Sequence, residues 1–163
     1  ERHNIPLPSG QRLPLVLLQY EQGWAMRVLA SVTLLVCGEQ AWVARRLAHG
    51  TMPGLLECAG GAVEDGESMD AAAKREVQEE TGLVLDGARF KSCGLLTLPD
   101  LEVALYLVTV GLTERPRDTE PHKRNAWMLT PVARLRFEAC TPGLGALAAV
   151  FCHALRAGKG AGL

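Results

Sequence analysis

Residues 61–83 read GAVEDGESMDAAAKREVQEETGL, and this stretch decides the fold. Its centre has the marks of a helix over Glu67–Thr81. Ser68 stands where an N-cap is wanted, Asp70 falls in the first turn where the helix dipole favours an anion, and Gly82 takes the C′ position. Ala72, Ala73, Val77 and Glu80 recur at helical spacing and share a side. Glu76, Glu79 and Glu80 stand at i, i+3 and i+4 and therefore crowd one face. Each such like-charge neighbour costs roughly 0.2–0.5 kcal/mol when nothing neutralises it. A divalent cation removes that cost, and hard oxygen donors at this density suit Mg²⁺ or Mn²⁺ rather than zinc. Ions held this way are commonly shared with substrate phosphates, where they polarise a phosphoryl oxygen and prepare a hydroxide. A solvated acidic face would explain the Glu-Glu pairing alone. It does not explain the fixed positions outward to Gly61, Glu67, Arg75 and Gly82.

On the N-terminal side, Leu55–Cys58 reads as a short strand leading into Gly60-Gly61. Upstream of a breaker-rich loop at 48–54, Arg27–Val36 and Ala41–Arg45 read as the two strands of a hairpin. On the C-terminal side, Phe90–Leu98 and Leu101–Val110 read as strands joined at Pro99-Asp100. A charged loop, Gly111–Arg124, separates them from a last strand near Trp127–Leu129. Thr141 as N-cap and Pro142 at N1 open a final helix with Leu144, Leu147, Ala148, Phe151 and Leu155 on its apolar side. Strands on both sides of the central helix, with a second helix at the end, predict an α/β fold: a mixed sheet between helices. Residues 1–23 read as an extension in which Leu13–Tyr20 forms an extra strand or a packing arm. Residues 24–157 form one domain, and 158–163 a flexible tail.

The bulk numbers fit this. The 163 residues suit one domain with a substantial core. A net charge of -1 supplies no global basic field for a nucleic-acid backbone, so no stable nucleic-acid partner is expected. The five cysteines show no CxxC or Cys/His metal spacing and read as reduced thiols. The apolar runs Leu13–Leu18 and Val28–Cys37 fall short of the ~20 residues of a spanning helix, so no membrane partner is expected. An intracellular, cytoplasmic location is the expectation, although the chain begins at Glu1 rather than Met, so that its true N-terminus is expected to be missing or processed and targeting is not read from it.

The 61–83 stretch resembles the Nudix box, Gly-x5-Glu-x7-Arg-Glu-U-x-Glu-Glu-x-Gly-U, with Val77 and Leu83 in the two aliphatic places. The resemblance extends by strand order over about Arg27–Leu155. It implies the Nudix α/β/α sandwich and metal-dependent hydrolysis of a nucleoside diphosphate linked to another group. By resemblance, Glu76, Glu79 and Glu80 carry Mg²⁺ or Mn²⁺, and one of them doubles as general base. Glu67 braces the loop–helix–loop, Arg75 pairs with a box carboxylate, and the Gly60 carbonyl completes a metal shell.

The flanks look most like the MutT-type branch, which converts NTP or dNTP to NMP and pyrophosphate. That likeness assigns Arg45 or Arg46 to a substrate phosphate, Glu57 and Phe137 to the substrate pocket, and Glu120 to a further metal position. Ala59 departs from the proline common there. A pyrophosphatase of ADP-ribose or a nucleotide-sugar uses the same box and is the alternative, with a homodimer allowed. A non-catalytic ligand- or RNA-binding module is the alternative of another class. His49 and the basic cluster Arg115, Arg117, His122, Lys123 and Arg124 read more readily as solvated loop residues. Trp24, Trp42 and Trp127 read as packing residues. Neutralising Glu79 and Glu80 together is expected to leave the fold intact and, by relieving repulsion, to raise its stability.

Overall fold

The computed structural model describes residues 5–6, 12–13, 15–20 and 23–158, with side chains from 28 to 158. Among the described residues, ten strands and three α-helices follow in the order β1 (Ile5–Pro6), β2 (Arg12–Leu13), β3 (Leu15–Tyr20), β4 (Gly23–Cys37), β5 (Gln40–Arg45), β6 (Leu56–Glu57), β7 (Ala59–Ala62), α1 (Met69–Thr81), β8 (Lys91–Leu98), β9 (Leu101–Thr109), β10 (Met128–Pro131), α2 (Val132–Leu135) and α3 (Pro142–Gly158). The main sheet runs β10-β5-β4-β9-β8, with β3 and β7 also paired to β4, and β6 to β5. β4 and β9 are parallel, from Val28↔Leu101 to Val36↔Thr109. The other pairs are antiparallel, which makes the sheet mixed.

Strand alternation sorts this sheet into two cores, because successive side chains leave opposite faces. Leu34 and Val36 of β4, with Val103 and Leu105 of β9, pack with Leu144, Leu147 and Ala148 of α3. Leu35 of β4 and Val108 of β9 face the other way, onto Val77 of α1 and Trp127. The result is an α/β/α sandwich with α1 and α3 on opposite faces. Each fully buried aliphatic side chain contributes about 1.5–3 kcal/mol relative to exposure. Leu34, Leu144, Leu147 and Val77 are all essentially inaccessible.

Several boundaries differ from the sequence reading, each for a tertiary reason. β4 begins at Gly23 rather than Arg27 because β3 pairs with it from Tyr20↔Gly23 to Leu15↔Val28. The Leu13–Tyr20 segment is thus an added strand at its C-terminal part. Gly60 and Gly61, into which a short strand at Leu55–Cys58 was expected to lead, themselves lie inside β7 and pair with Val32 and Ser31. The short helix α2 was not anticipated; its Val132 and Leu135 are buried beneath α3. Gly158, assigned to the tail, is the last residue of α3, and 159–163 lie outside the described residues. Side-chain packing of Trp24 also lies outside them. All five cysteines are free.

Candidate active site

α1 is held in place at both ends. Ser68 Oγ accepts from Ala71 N at 3.1 Å, and the Tyr106 hydroxyl donates to Asp70 in the first turn. Ser31 Oγ of β4 donates to the Met69 carbonyl at 2.7 Å. At the far end Gly82 adopts φ 68°, the left-handed conformation that favours glycine, and donates to the Gln78 carbonyl. Thr81, fully buried, turns its hydroxyl back to the Val77 carbonyl at 2.5 Å.

Arg75 neutralises the near half of the acidic face. Its Nε and Nη2 donate to the two oxygens of Glu67, each at 3.0 Å. Its Nη1 reaches Glu76 at 2.7 Å and Glu79 at 3.1 Å, and Nη2 also reaches the Ala62 carbonyl at 2.9 Å. One guanidinium thus ties three box carboxylates to the end of β7. Its hydrogen bonds to Glu67 hold Arg75 protonated above its ordinary range, and the same bonds hold Glu67 below the usual carboxylate range. Glu76 is pushed up by burial, with Arg75 opposing. Arg75 thus pairs with the box carboxylates Glu67, Glu76 and Glu79 in the structure.

The two glycines serve different neighbours. A Cβ on Gly60 would lie 2.4 Å from the Ser31 carbonyl oxygen and 2.7 Å from Val32 Cα, so the β4 backbone itself demands glycine there. A Cβ on Gly61 would lie 2.4 Å from Glu76 Oε1, so this glycine makes room for a carboxylate. The Gly60 N–H donates to Glu80 Oε2 at 2.9 Å.

The far half of the acidic face is neutralised by a residue that sequence reasoning assigned to a solvated loop. Arg124 is only 3% exposed. Its Nε donates to Glu57 Oε1 at 2.7 Å, its Nη2 to Glu80 Oε1, and its Nη1 lies 3.3 Å from Glu120 Oε2. That last pair is close without being aligned, for neither atom has a hydrogen-bond partner. Glu57 is gripped from its other side by Arg46 Nη1. Burial opposes the charge of Arg124, but Glu80 and Glu57 outweigh it and raise its pKa. Glu80 is pushed up to about 8 by burial, against the pull of Arg124 and the Gly60 N–H.

Backbone pairing explains why Arg124 turns inward. Arg46 and Arg124 form an antiparallel bridge, Asn125 N donates to the Arg45 carbonyl at 2.9 Å, and Leu47 N to the Lys123 carbonyl at 3.2 Å. The same loop is stitched to the end of α1. Thr119 Oγ1 donates to the Glu79 carbonyl at 2.6 Å, Arg117 N to the Thr81 carbonyl at 2.8 Å, and Trp127 Nε1 to the Glu80 carbonyl at 3.2 Å. Trp127 is a packing residue, as expected, and also a donor to the box helix.

The loop therefore brings Glu120 to Arg124, the partner of Glu80, with Lys123 Nζ 2.5 Å from Glu120 and close enough to Glu76 to act on its charge. Arg45 instead donates to the Gly54 carbonyl at 2.8 Å and pairs with Glu138 at 3.6 Å. Arg46 also fastens the 48–54 loop through Thr51, at 2.7 and 2.9 Å. Phe137 is 77% exposed, with the Arg136 guanidinium 4.4 Å from its ring centre. No described contact joins it to the carboxylates. His49, Arg115, Arg117, His122 and Lys123 are exposed loop residues.

Glu76, Glu79, Glu80 and Glu120 offer only oxygen donors, the kind a hard divalent cation takes. Glu79 keeps a 57% exposed side chain, and Glu120 Oε2 is a buried acceptor without a hydrogen bond. Among the described residues, no three acidic, His or Cys groups are gathered as a ready metal shell. The box carboxylates are instead turned toward Arg75 and Arg124.

The NUDIX domain family profile matches residues 27–143. No curated protein matches the chain by sequence. Among solved structures, a MutT NUDIX hydrolase from Burkholderia pseudomallei is 20% identical, superposes with a TM-score of 0.66, and is matched over 75% of this chain and 95% of its own. A C. elegans Ap4A hydrolase binary complex is 17% identical with a TM-score of 0.62, over 78% and 98%. A bifunctional NMN adenylyltransferase/ADP ribose pyrophosphatase from Francisella tularensis is 12% identical with a TM-score of 0.63, over 78% of this chain and 42% of its own. These likenesses share the fold, whereas the profile spans most of the chain and includes the whole 61–83 signature, so this chain belongs to the Nudix hydrolase family.

Proposed function

We propose that the chain is a Mg²⁺- or Mn²⁺-dependent pyrophosphatase that cleaves NTP or dNTP to NMP and pyrophosphate. The observation that supports this is the stitching of the loop bearing Glu120 to the Glu79 and Glu80 carbonyls of α1, with Glu120 3.3 Å from the Arg124 that holds the Glu80 carboxylate. Solved structures named MutT are among those with the same fold. Glu76, Glu79, Glu80 and Glu120, with the Gly60 carbonyl, would hold the metal, which when bound supplies phosphoryl polarisation and an acidified water. Glu79, with its exposed side chain, would take the proton of the attacking water. Arg75 and Glu67 hold the acidic face in register with β7. Arg45, on the rim of the 48–54 loop, is the arginine free to turn to a phosphate with least loss, since its anchors are one carbonyl and a 3.6 Å ion pair. The catalytic domain is taken as 24–157, with 1–23 an N-terminal extension from which Leu15–Tyr20 adds a strand beside β4. No described helix is long and apolar enough to cross a membrane.

A second reading, hydrolysis of ADP-ribose or a nucleotide-sugar, draws on β3, which widens the sheet on the N-terminal side in a way compatible with an added dimer surface. A panel of NTPs, dNTPs, ADP-ribose and nucleotide-sugars, with Mg²⁺ or Mn²⁺ and product identification, separates the two. Pyrophosphate release supports the first reading and a sugar phosphate the second. A protein that leaves every NTP and dNTP intact overturns the first.

A further inference from the structure

We infer that Arg124 is an internal counter-cation that competes with the divalent ion for Glu80 and so sets the affinity of the site for metal. The inference rests on the reading of Glu76, Glu79, Glu80 and Glu120 as metal ligands. Arg124 is 3% exposed, and its guanidinium spans Glu57, Glu80 and Glu120 from three different segments of the chain. Both oxygens of Glu80 are engaged, one by Arg124 and the other by the Gly60 N–H. A cation arriving at Glu80 meets a fixed positive charge on the same carboxylate, in surroundings that screen it little.

Nη1 of Arg124 and Oε2 of Glu120 remain without hydrogen bonds although both are buried and 3.3 Å apart. The grip on Glu120 is therefore the weakest of the three. Glu120 can leave Arg124 for a metal with little loss, whereas Glu80 must share its oxygen with the guanidinium. An interaction made more strongly without metal than with it weakens metal binding by the same factor, by linkage.

The test compares the parent protein with Arg124→Gln, which keeps a hydrogen-bond donor and loses the charge, and Arg124→Lys, which keeps the charge. Mn²⁺ affinity is measured by calorimetry, and melting is measured after chelation. Arg124→Gln is expected to bind Mn²⁺ about 5- to 150-fold more tightly, the span typical of coupling between sites. It is also expected to melt lower after chelation and to show a larger Mn²⁺-induced rise. Arg124→Lys is expected to bind within about threefold of the parent on the same scale. Should Arg124→Gln fold only when Mn²⁺ is added, the competition is supported. Equal or weaker Mn²⁺ binding by Arg124→Gln overturns it. A parent protein that binds no Mn²⁺ overturns instead the underlying assignment of the metal ligands.

Discussion

Gly60 and Gly61 are adjacent and look interchangeable, yet alanine at each should fail in a different assay. At Gly60 the new Cβ would stand 2.4 Å from the Ser31 carbonyl oxygen and 2.7 Å from Val32 Cα. Both obstacles are backbone in the middle of β4, so the β4–β7 pairing must open. Overpacking of this kind costs about 1–3 kcal/mol. The Gly60 N–H bond to the Glu80 carboxylate is strained at the same time, and bonds to charged groups contribute about 1.5–3 kcal/mol. A loss of about 2.5–6 kcal/mol follows, or roughly 5–24 °C in Tm for a chain of this size.

At Gly61 the obstacle is Glu76 Oε1, 2.4 Å away, at the end of a flexible side chain. The carboxylate must withdraw by about 1 Å to reach the ordinary contact distance near 3.4 Å. Alanine in a strand regains about 0.5–1 kcal/mol relative to glycine, which offsets part of the disturbed Arg75 contact. Gly61→Ala should therefore melt within a few degrees of the parent, with kcat reduced about 100-fold, the scale expected for a 1 Å misplacement in a site. Thermal melts after chelation, together with steady-state rates on whichever substrate the panel identifies, decide the matter. Unchanged melting of Gly60→Ala, or full activity of Gly61→Ala, would refute the reasoning from these two contacts.

Glu79→Gln and Glu80→Gln should both abolish metal-dependent turnover but differ in stability. Glu79 is largely exposed and its loss should change stability by under about 0.5 kcal/mol. Loss of the Glu80 charge weakens the grip on buried Arg124 and should lower the melting point, contrary to the gain expected from repulsion alone. Arg75→Met should flatten the acid side of the stability curve. Glu67 has its pKa lowered by Arg75, so its contribution is present above the ordinary carboxylate range and lost as pH falls through the lowered value. Urea midpoints from neutral to acid pH should fall less steeply in the variant, and an unchanged slope would count against the brace. Leu147→Ala, in the α3 core, should cost about 2–5 kcal/mol in urea unfolding, with the metal affinity unchanged.

Local spacing carries information only as far as neighbouring turns reach. α1 was legible because its cap, its acidic face and its terminal glycine all lie within 15 residues, where 3.6-residue geometry alone decides who meets whom. The mixed sheet was legible from alternation and breakers, and so was the closing helix. Arg124 was not. Its sequence neighbours are His122, Lys123 and Asn125, all polar, and it reads as part of a basic loop. It is buried because the loop pairs with the end of β5 and is stitched to the α1 carbonyls, a consequence of contacts 40 to 80 residues apart.

The same division runs through the site. By itself, the sequence determined the carboxylate face and the expectation of a hard metal, because those depend on residue type and offset along one helix, while the reaction class came with the resemblance of that stretch to the Nudix box. Tertiary structure decided what each of those charges faces. Glu67, Glu76 and Glu79 face Arg75, while Glu80 and Glu57 face Arg124 and Glu120 is drawn up beside them. Charge compensation across a fold requires distant segments to be brought together in a medium of low dielectric. No periodicity within one segment encodes that.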